Sequence, residues 1–165
     1  MNKKIHKILA CVDFSEYSAM VLEYALELAS QTGAQIVIIN VLNQKDIDGV
    51  KMACNYCKGA FSGSINVEDY ITSMEQERRE NLKQLLKTNS FDETLLMNLK
   101  FDKGVPSECI LNAVDSENID LVVMANKGRG NIARVLFGSA AEKVFRHSPV
   151  PVISVRDRKR FKRAK

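Results

Sequence analysis

The sequence predicts an α/β fold built on a mainly parallel sheet. Continuous apolar runs at residues 8–12, 36–39 and 121–125 indicate strands that are buried on both faces, as in parallel sheets. Segments with apolar residues at helical spacing separate these runs along the chain. Such an alternation of strands and helices is typical of βα units that share one sheet.

The first third of the chain predicts two strands and one helix. The first strand covers residues 4–13, and the second covers residues 34–43. Between them, apolar residues at helical spacing predict a helix over about 15–32, and Gly33 is a natural stop for it. Residues 43–66 show no clear period and contain several glycines and serines, which predicts a long loop with room for a helical turn.

The rest of the chain continues the same alternation of helices and strands. A strongly polar amphipathic helix comes first, and Pro106 opens the next helix, as proline in a first turn often does. The predicted elements in order are a helix over 67–89, a strand over 94–101, a helix over 106–117, a strand over 119–125, a helix over 139–146 and a strand over 149–156.

The order of the strands decides where a ligand would bind. A sheet that grows outward from strand 1 in one direction and from strand 4 in the other has the order 3-2-1-4-5, with helices on both faces in a three-layer sandwich. Ligands of such sheets bind beyond the carboxyl ends of the strands, where the order reverses. Asp13 ends strand 1, and the glycine-rich segment MANKGRG ends strand 4, so both are expected at one crevice.

The chemistry of these two segments favours a phosphate-containing ligand. Glycines such as Gly128 and Gly130 let main-chain N–H groups approach an anion, and a helix start at Gly138 adds unpaired N–H groups and a favourable dipole. Asp13 is a good acceptor for ribose hydroxyls or an adenine amino group. Lys127 and Arg129 could screen phosphate charge.

Each of these residues also has a purely structural interpretation. Asp13 could cap the first helix, with Glu16 as its capping-box partner. Ser139 could be only an N-cap, the glycines could serve a turn alone, and Lys127 and Arg129 could be solvated.

Two widespread phosphate motifs do not fit the chain. GRGNIA matches G-x-G-x-x-G/A, but it follows the fourth strand, and Ile153 stands where a ribose-binding acid would be expected. The glycines of GSAA lack the lysine that a P-loop requires. The residues also form no Ser/His/Asp arrangement, so we expect no enzyme.

Composition indicates an ordinary globular protein with a charged tail. The net charge of the chain is +4. The last ten residues, RDRKRFKRAK, contain seven basic side chains and one acid, so the excess of positive charge lies in this segment. We expect one domain over residues 1–156 and a solvated basic tail over 157–165, with contact of this tail with nucleic acid or a membrane surface as the less favoured alternative. No apolar run reaches the length of a membrane helix, and the apolar N-terminal segment is too short for a secretion signal, so a cytoplasmic protein is expected.

The four cysteines suit a reducing compartment. Cys11 and Cys109 lie in apolar runs and are expected to be buried thiols. Cys54 and Cys57 form a lone C-x-x-C without the second pair or nearby histidines of a zinc site, so we expect no metal. Two such pairs meeting across a dimer remain an alternative.

Residues 7–42, KILACVDFSEYSAMVLEYALELASQTGAQIVIINVL, and residues 119–156, IDLVVMANKGRGNIARVLFGSAAEKVFRHSPVPVISVR, resemble the universal stress protein family. The resemblance extends over nearly the whole chain and implies the adenine-nucleotide α-hydrolase-like fold. Nucleotide-binding members show G-x2-G-x9-G-[ST], and the second half of this motif is matched by Gly128, Gly138 and Ser139. Ala125 replaces the first glycine, and its methyl group resists a positive φ.

The resemblance implies a function and a set of binding residues. It implies an ATP-binding, homodimeric regulator of the stress response, with ATP, ADP or AMP as ligand and Mg²⁺ possible alongside ATP. The alternative, supported by Ala125, is a dimeric interaction module whose crevice stays empty. The residues implied are Val12, Asp13, Val41, Met124 and Ala125 around the adenosine, and Gly128, Gly130, Gly138, Ser139 and Ala140 around the phosphates.

The resemblance also implies a homodimer formed through the last strand, from Val150 to Val155. The sequence agrees, because VPVISV is apolar and would lie at the edge of the sheet. An exposed apolar edge strand is a liability unless another strand pairs with it.

Overall fold

Five parallel strands form one sheet in the computed structural model, which describes residues 4–57, 66–89, 93–128 and 137–156. A short 3₁₀ turn, Glu93–Leu95, precedes the third strand. The elements in order are β1 (Lys7–Cys11), α1 (Ser18–Thr32), β2 (Gln35–Asn43), α2 (Gln44–Cys57), α3 (Val67–Thr88), β3 (Leu96–Gly104), α4 (Pro106–Ser116), β4 (Leu121–Ala125), α5 (Ser139–His147) and β5 (Val152–Val155).

The strand order is β3-β2-β1-β4-β5, which confirms the predicted fold class. β1 pairs in parallel with both β2 and β4, and Ile8 lies between Ile36 and Leu121 in the register. The chain builds the sheet outward from β1 through β2 to β3, then crosses back and continues on the other side of β1 with β4 and β5. The switch point of the sheet therefore lies between β1 and β4. The predicted tail, residues 157–165, lies outside the described residues.

Apolar helix faces cover the sheet on both sides. On one face, Ile8, Ala10, Ile38 and Val123 pack in a core with buried residues of α1 and α3. On the other face, alternate residues of the same strands pack against α4 and α5; they include Leu9, Val37, Ile39 and Val122. Because neighbouring strand residues point to opposite faces, the central strands are apolar at nearly every position.

Residues 44–57 form a helix, so the prediction of a long loop over 43–66 is wrong for this part. In α2, Ile47 is buried, and Val50 and Cys54 are half-buried at helical spacing from it. Gly49 and the polar residues around it interrupt this short apolar pattern, so the sequence alone did not indicate a helix here. A glycine in a helix interior weakens the helix by about 1 kcal/mol but does not prevent it.

Helix α1 begins three residues later than predicted because the chain turns sharply after β1. Phe14 has a φ of 60°, in the left-handed region that side chains other than glycine rarely adopt. The helix then starts at Ser18 and ends at Thr32. Gly33 stops it, as predicted, with a φ of 71° and an N–H that donates to the Ala29 carbonyl. Within the described ranges, no helix is both long and apolar enough to span a bilayer.

The glycines of α1 and α2 provide a test of these backbone conformations. A Cβ added at Gly33 or at Gly49 would meet nothing within 4 Å, so the two substitutions differ only in backbone geometry. We expect Gly33→Ala to lower the free energy of unfolding by about 1 kcal/mol, because alanine resists the left-handed conformation. Gly49→Ala should raise it by about 0.5–1 kcal/mol, because alanine favours a helix.

Urea unfolding followed by circular dichroism, at equal protein concentrations, measures both changes. The unmutated protein and the double variant serve as controls, since the two distant sites should be additive. A loss of stability in Gly49→Ala would contradict a helix at residues 44–57.

Candidate functional site

A cavity of about 610 Å³ opens at the carboxyl ends of β1 and β4, where the strand order reverses. The first turns of α4 and α5 also border it. Gly130 and Arg129 lie outside the described residues. The cavity brings together the nine other residues predicted for the site, namely Val12, Asp13, Val41, Met124, Ala125, Gly128, Gly138, Ser139 and Ala140.

The Asp13 carboxylate lies at the turn between β1 and α1. Its Oδ1 accepts hydrogen bonds from the Ser15 N–H at 2.9 Å and from the Ser18 hydroxyl at 3.3 Å. The N-cap of α1 is Tyr17, so the interpretation of Asp13 and Glu16 as a capping box is wrong. Asp13 instead holds the loop before the helix, and its carboxylate borders the cavity.

Gly128 lies directly against this carboxylate. A Cβ added at Gly128 would stand 2.8 Å from Asp13 Oδ2, closer than real Cβ atoms approach an oxygen. The segment after β4 therefore passes over Asp13 because residue 128 has no side chain. The two segments that the sequence places at one crevice are in contact.

Helix α5 points its N-terminus at the same place. Gly138 is its N-cap, in extended backbone, and no side chain caps the first turn. The Gly138 N–H donates to the Asn126 carbonyl at 2.8 Å, which joins the two ends of the segment between β4 and α5. Ser139 is the first helical residue, so its interpretation as the N-cap is wrong. N–H groups at such a helix start favour an anion.

Ala125 replaces the first glycine of the family motif without backbone strain. It is the last residue of β4 and pairs with Val155. Among the described residues other than glycine, only Phe14 and Asn118 have a positive φ. Because Ala125 lies in extended backbone, which any residue adopts, a methyl group at this position is compatible with the loop that follows.

The cavity is also bordered by residues that the sequence analysis missed. Asn43 is the last residue of β2, and Asp46 lies in the first turn of α2. Pro106 follows β3, and Phe137 precedes α5. The signal was available, because the carboxyl ends of all parallel strands meet at one edge of the sheet. Asp46 was hidden in the segment predicted as a loop.

Cys11 is only half-buried, unlike Cys109, and it borders the cavity. Its enclosed position raises the pKa of the thiol far above its usual range, and the nearby Asp13 carboxylate raises it further. The thiol is therefore protonated at neutral pH and is a poor nucleophile. Cys54 is half-buried on α2, and across the described ranges no three His, Cys, Asp or Glu side chains are grouped to hold a metal ion.

Comparisons with known proteins agree with this architecture. Universal stress protein MJ0577 of Methanocaldococcus jannaschii is 23% identical over 163 residues, which cover 94% of this chain and 98% of the relative. Its solved structure superposes with a TM-score of 0.74 at 20% identity, over 92% of this chain and 96% of the other. Universal stress protein UspA from Lactobacillus plantarum gives a TM-score of 0.73 at 19% identity, over 94% and 100% of the two chains.

A third solved structure is a universal stress protein in complex with cAMP, with a TM-score of 0.57 at 18% identity, over 93% of this chain and 98% of that chain. The sequence profile of the universal stress protein family matches residues 4–53 and 61–156. These matches take in both strands at the switch point and both segments that border the cavity. The chain belongs to the universal stress protein family.

Proposed function

We propose that the cavity binds an adenine nucleotide, ATP, ADP or AMP, and that the protein is a nucleotide-linked regulator of the stress response. One observation carries the proposal: the Asp13 carboxylate and the N-terminus of α5 open onto the same cavity. A carboxylate accepts hydrogen bonds from ribose hydroxyls or an amino group, whereas a helix N-terminus favours phosphate. An adenylate carries both kinds of group.

The size and lining of the cavity fit such a ligand. Pockets for small molecules and cofactors enclose about 300–1,000 Å³, and the 610 Å³ cavity falls inside that range. Its apolar lining includes Ile39, Val41 and Met124, which suit the face of a purine. Lys127 borders the same cavity and adds a positive charge for phosphate, and Mg²⁺ would be carried in by the phosphates of ATP.

The family gives independent support for this ligand class. The universal stress protein solved in complex with cAMP binds an adenine nucleotide and shares the fold of this chain. We assign to the ligand the predicted residues that border the cavity: Val12, Asp13, Val41, Met124 and Ala125 to the adenosine, and Gly128, Gly138, Ser139 and Ala140 to the phosphates.

Binding and signalling, rather than catalysis, is the role we propose for this site. The ionisable side chains among the described lining residues are Cys11, Asp13, Asp46 and Lys127. The Cys11 thiol is held protonated, which removes the strongest potential nucleophile. Any hydrolysis of bound ATP would then be slow or would depend on a partner.

We also propose that the protein is a homodimer formed through β5. β5 is an edge strand, and its residues Val152 and Ile153 are only half-buried. Asn126 donates its N–H to the Val155 carbonyl, so the backbone of residue 155 faces β4 and, by strand alternation, that of Ser154 faces outward. The Ser154 hydroxyl is buried without a hydrogen-bond partner, and Phe145 on nearby α5 is 59% exposed.

The nucleotide proposal predicts that purified protein carries or binds an adenylate. We expect mass spectrometry of the small molecules released by denaturing fresh protein to detect AMP, ADP or ATP. Calorimetry of nucleotide-free protein should show saturable binding of at least one of the three. GTP is the matched control, because it has the same phosphates and a different base. Absence of both signals would favour the alternative function, a dimeric interaction module with an empty cavity.

Gly128→Ala should weaken this binding by about tenfold or more. The added Cβ would displace either the Asp13 carboxylate or the segment after β4, and small misplacements of binding groups cost about that much. Calorimetry with the nucleotide identified above measures the affinity. Gly49→Ala is the control, because it makes the same change in α2, where an added Cβ meets nothing within 4 Å. Equal affinities in Gly128→Ala and the unmutated protein would contradict the assigned site.

Ser154→Pro should convert the dimer to a monomer. Proline removes the outward N–H that strand addition requires, while the inward backbone groups that pair with β4 remain. Sedimentation velocity measures the mass, with an expected value of twice the chain mass for the unmutated protein. Ser154→Ala, which removes only the hydroxyl, should stay dimeric. A dimeric Ser154→Pro would rule out pairing through β5.

A further inference from the structure

Arg78 is a buried cation on the inner face of α3. It is 4% exposed and shares this face with Leu82 and Leu86, which are also buried. Burial of a guanidinium is costly unless hydrogen bonds replace the lost water. Leucine at this position would continue the apolar face without this cost, so packing alone does not account for an arginine here.

The Arg78 guanidinium reaches β2 next to the candidate site. Its Nη1 donates to the Asn40 side-chain oxygen at 2.9 Å and lies 3.5 Å from the Val41 carbonyl, at the limit of a hydrogen bond. Val41 borders the cavity, and Asn40 precedes it on the strand. The cation thus contacts the backbone wall of the cavity from the side of α3.

The Asn40 side chain links Arg78 to the residue that follows β1. The side chain is 1% exposed, and its Nδ2 donates to the Val12 carbonyl at 2.6 Å. The Val12 N–H donates in turn to the Ile39 carbonyl at 2.9 Å. Both backbone polar groups of Val12 are therefore bonded to β2, and one of those bonds comes from the side chain that Arg78 holds in place.

The turn that follows Val12 needs such support. Phe14 has a φ of 60°, which costs about 1–2 kcal/mol for a residue other than glycine. The bonds from Ser15 and Ser18 to Asp13 are local to the same turn, so they move with it. The bond from Asn40 ties the turn to the sheet and fixes where the Asp13 carboxylate stands.

We propose that Arg78 is a positioning residue for the ligand cavity, acting through Asn40 and Val12 to hold Asp13 in its binding position. This inference rests on the proposed function, because it assumes that Asp13 receives an adenylate. Arg78 itself is not among the residues that border the cavity. Its contribution to binding is therefore indirect and passes through the Val12–Asp13 backbone.

Calorimetry on a set of variants tests this role. We expect Arg78→Gln to weaken binding of the adenine nucleotide by about tenfold, which corresponds to about 1.4 kcal/mol of binding free energy. Arg78→Lys, which keeps the charge and a donor, should recover part of the loss. Arg79→Gln is the control, because it removes the neighbouring guanidinium, which lies over the Phe101 ring on the protein surface. The unfolding free energy is measured for each variant.

A double-mutant cycle separates positioning from general loosening of the fold. Asp13→Ala should weaken binding, and Arg78→Gln in that background should then change the affinity by less than about twofold, since its route to the ligand is gone. A tenfold loss in both backgrounds would overturn the proposal. Asn40→Asp is the second variant: the carboxylate still accepts from Arg78 but presents an oxygen to the Val12 carbonyl. It should weaken binding as Arg78→Gln does.

Amide hydrogen exchange tests the inference without any nucleotide. In Arg78→Gln and Asn40→Asp, we expect the Val12 amide, which donates to Ile39 across the strands, to exchange about tenfold faster, while the Glu117 amide at the end of α4 keeps its rate. An unchanged rate at Val12 would overturn the positioning role. If the unmutated protein binds no adenylate, the proposed function fails, and these exchange rates still decide whether Arg78 holds the turn.

Discussion

The parallel pairing of β1 with β4 determines where the rest of the molecule must go. Ile8 lies beside Leu121, although most of the chain separates them, and both strands are apolar on both faces. A one-residue slip would exchange every side chain between the two cores, so the register is strongly specified. After β1 the chain returns through α1 on one face, and after β4 it returns through α5 on the other. The two exits diverge, and the space left between them is the cavity.

The features that follow from chain-wide patterns were predictable. Unbroken apolar strands indicated a parallel sheet, and a parallel sheet places Asp13 and the glycine segment after β4 at one edge. Their contact through Gly128 agrees with that expectation. Spacing and charge alone left open whether the glycine segment serves only a turn or binds an anion. The family resemblance added the expectation of an adenine nucleotide.

The features that depend on a single contact were not predictable. α2 buries a short stripe around Ile47, too short for its period to outweigh Gly49 and the polar residues beside it. The left-handed Phe14 gives no sign in the sequence, because aromatic residues rarely adopt that conformation. The burial of Arg78 also gives no sign in the strongly polar helix that the sequence predicts, since a charge is normally exposed and its acceptor, Asn40, lies on a distant strand.

The protonated thiol of Cys11 has a consequence for a protein whose family is named for stress. Peroxides oxidise the thiolate form of cysteine, and a thiol that stays protonated reacts slowly. The raised pKa of Cys11 therefore predicts slower sulfenic acid formation at this position than at ordinary exposed cysteines. A cavity wall that contains this thiol would suit the regulatory role proposed above, because it would be modified only slowly during oxidative challenge.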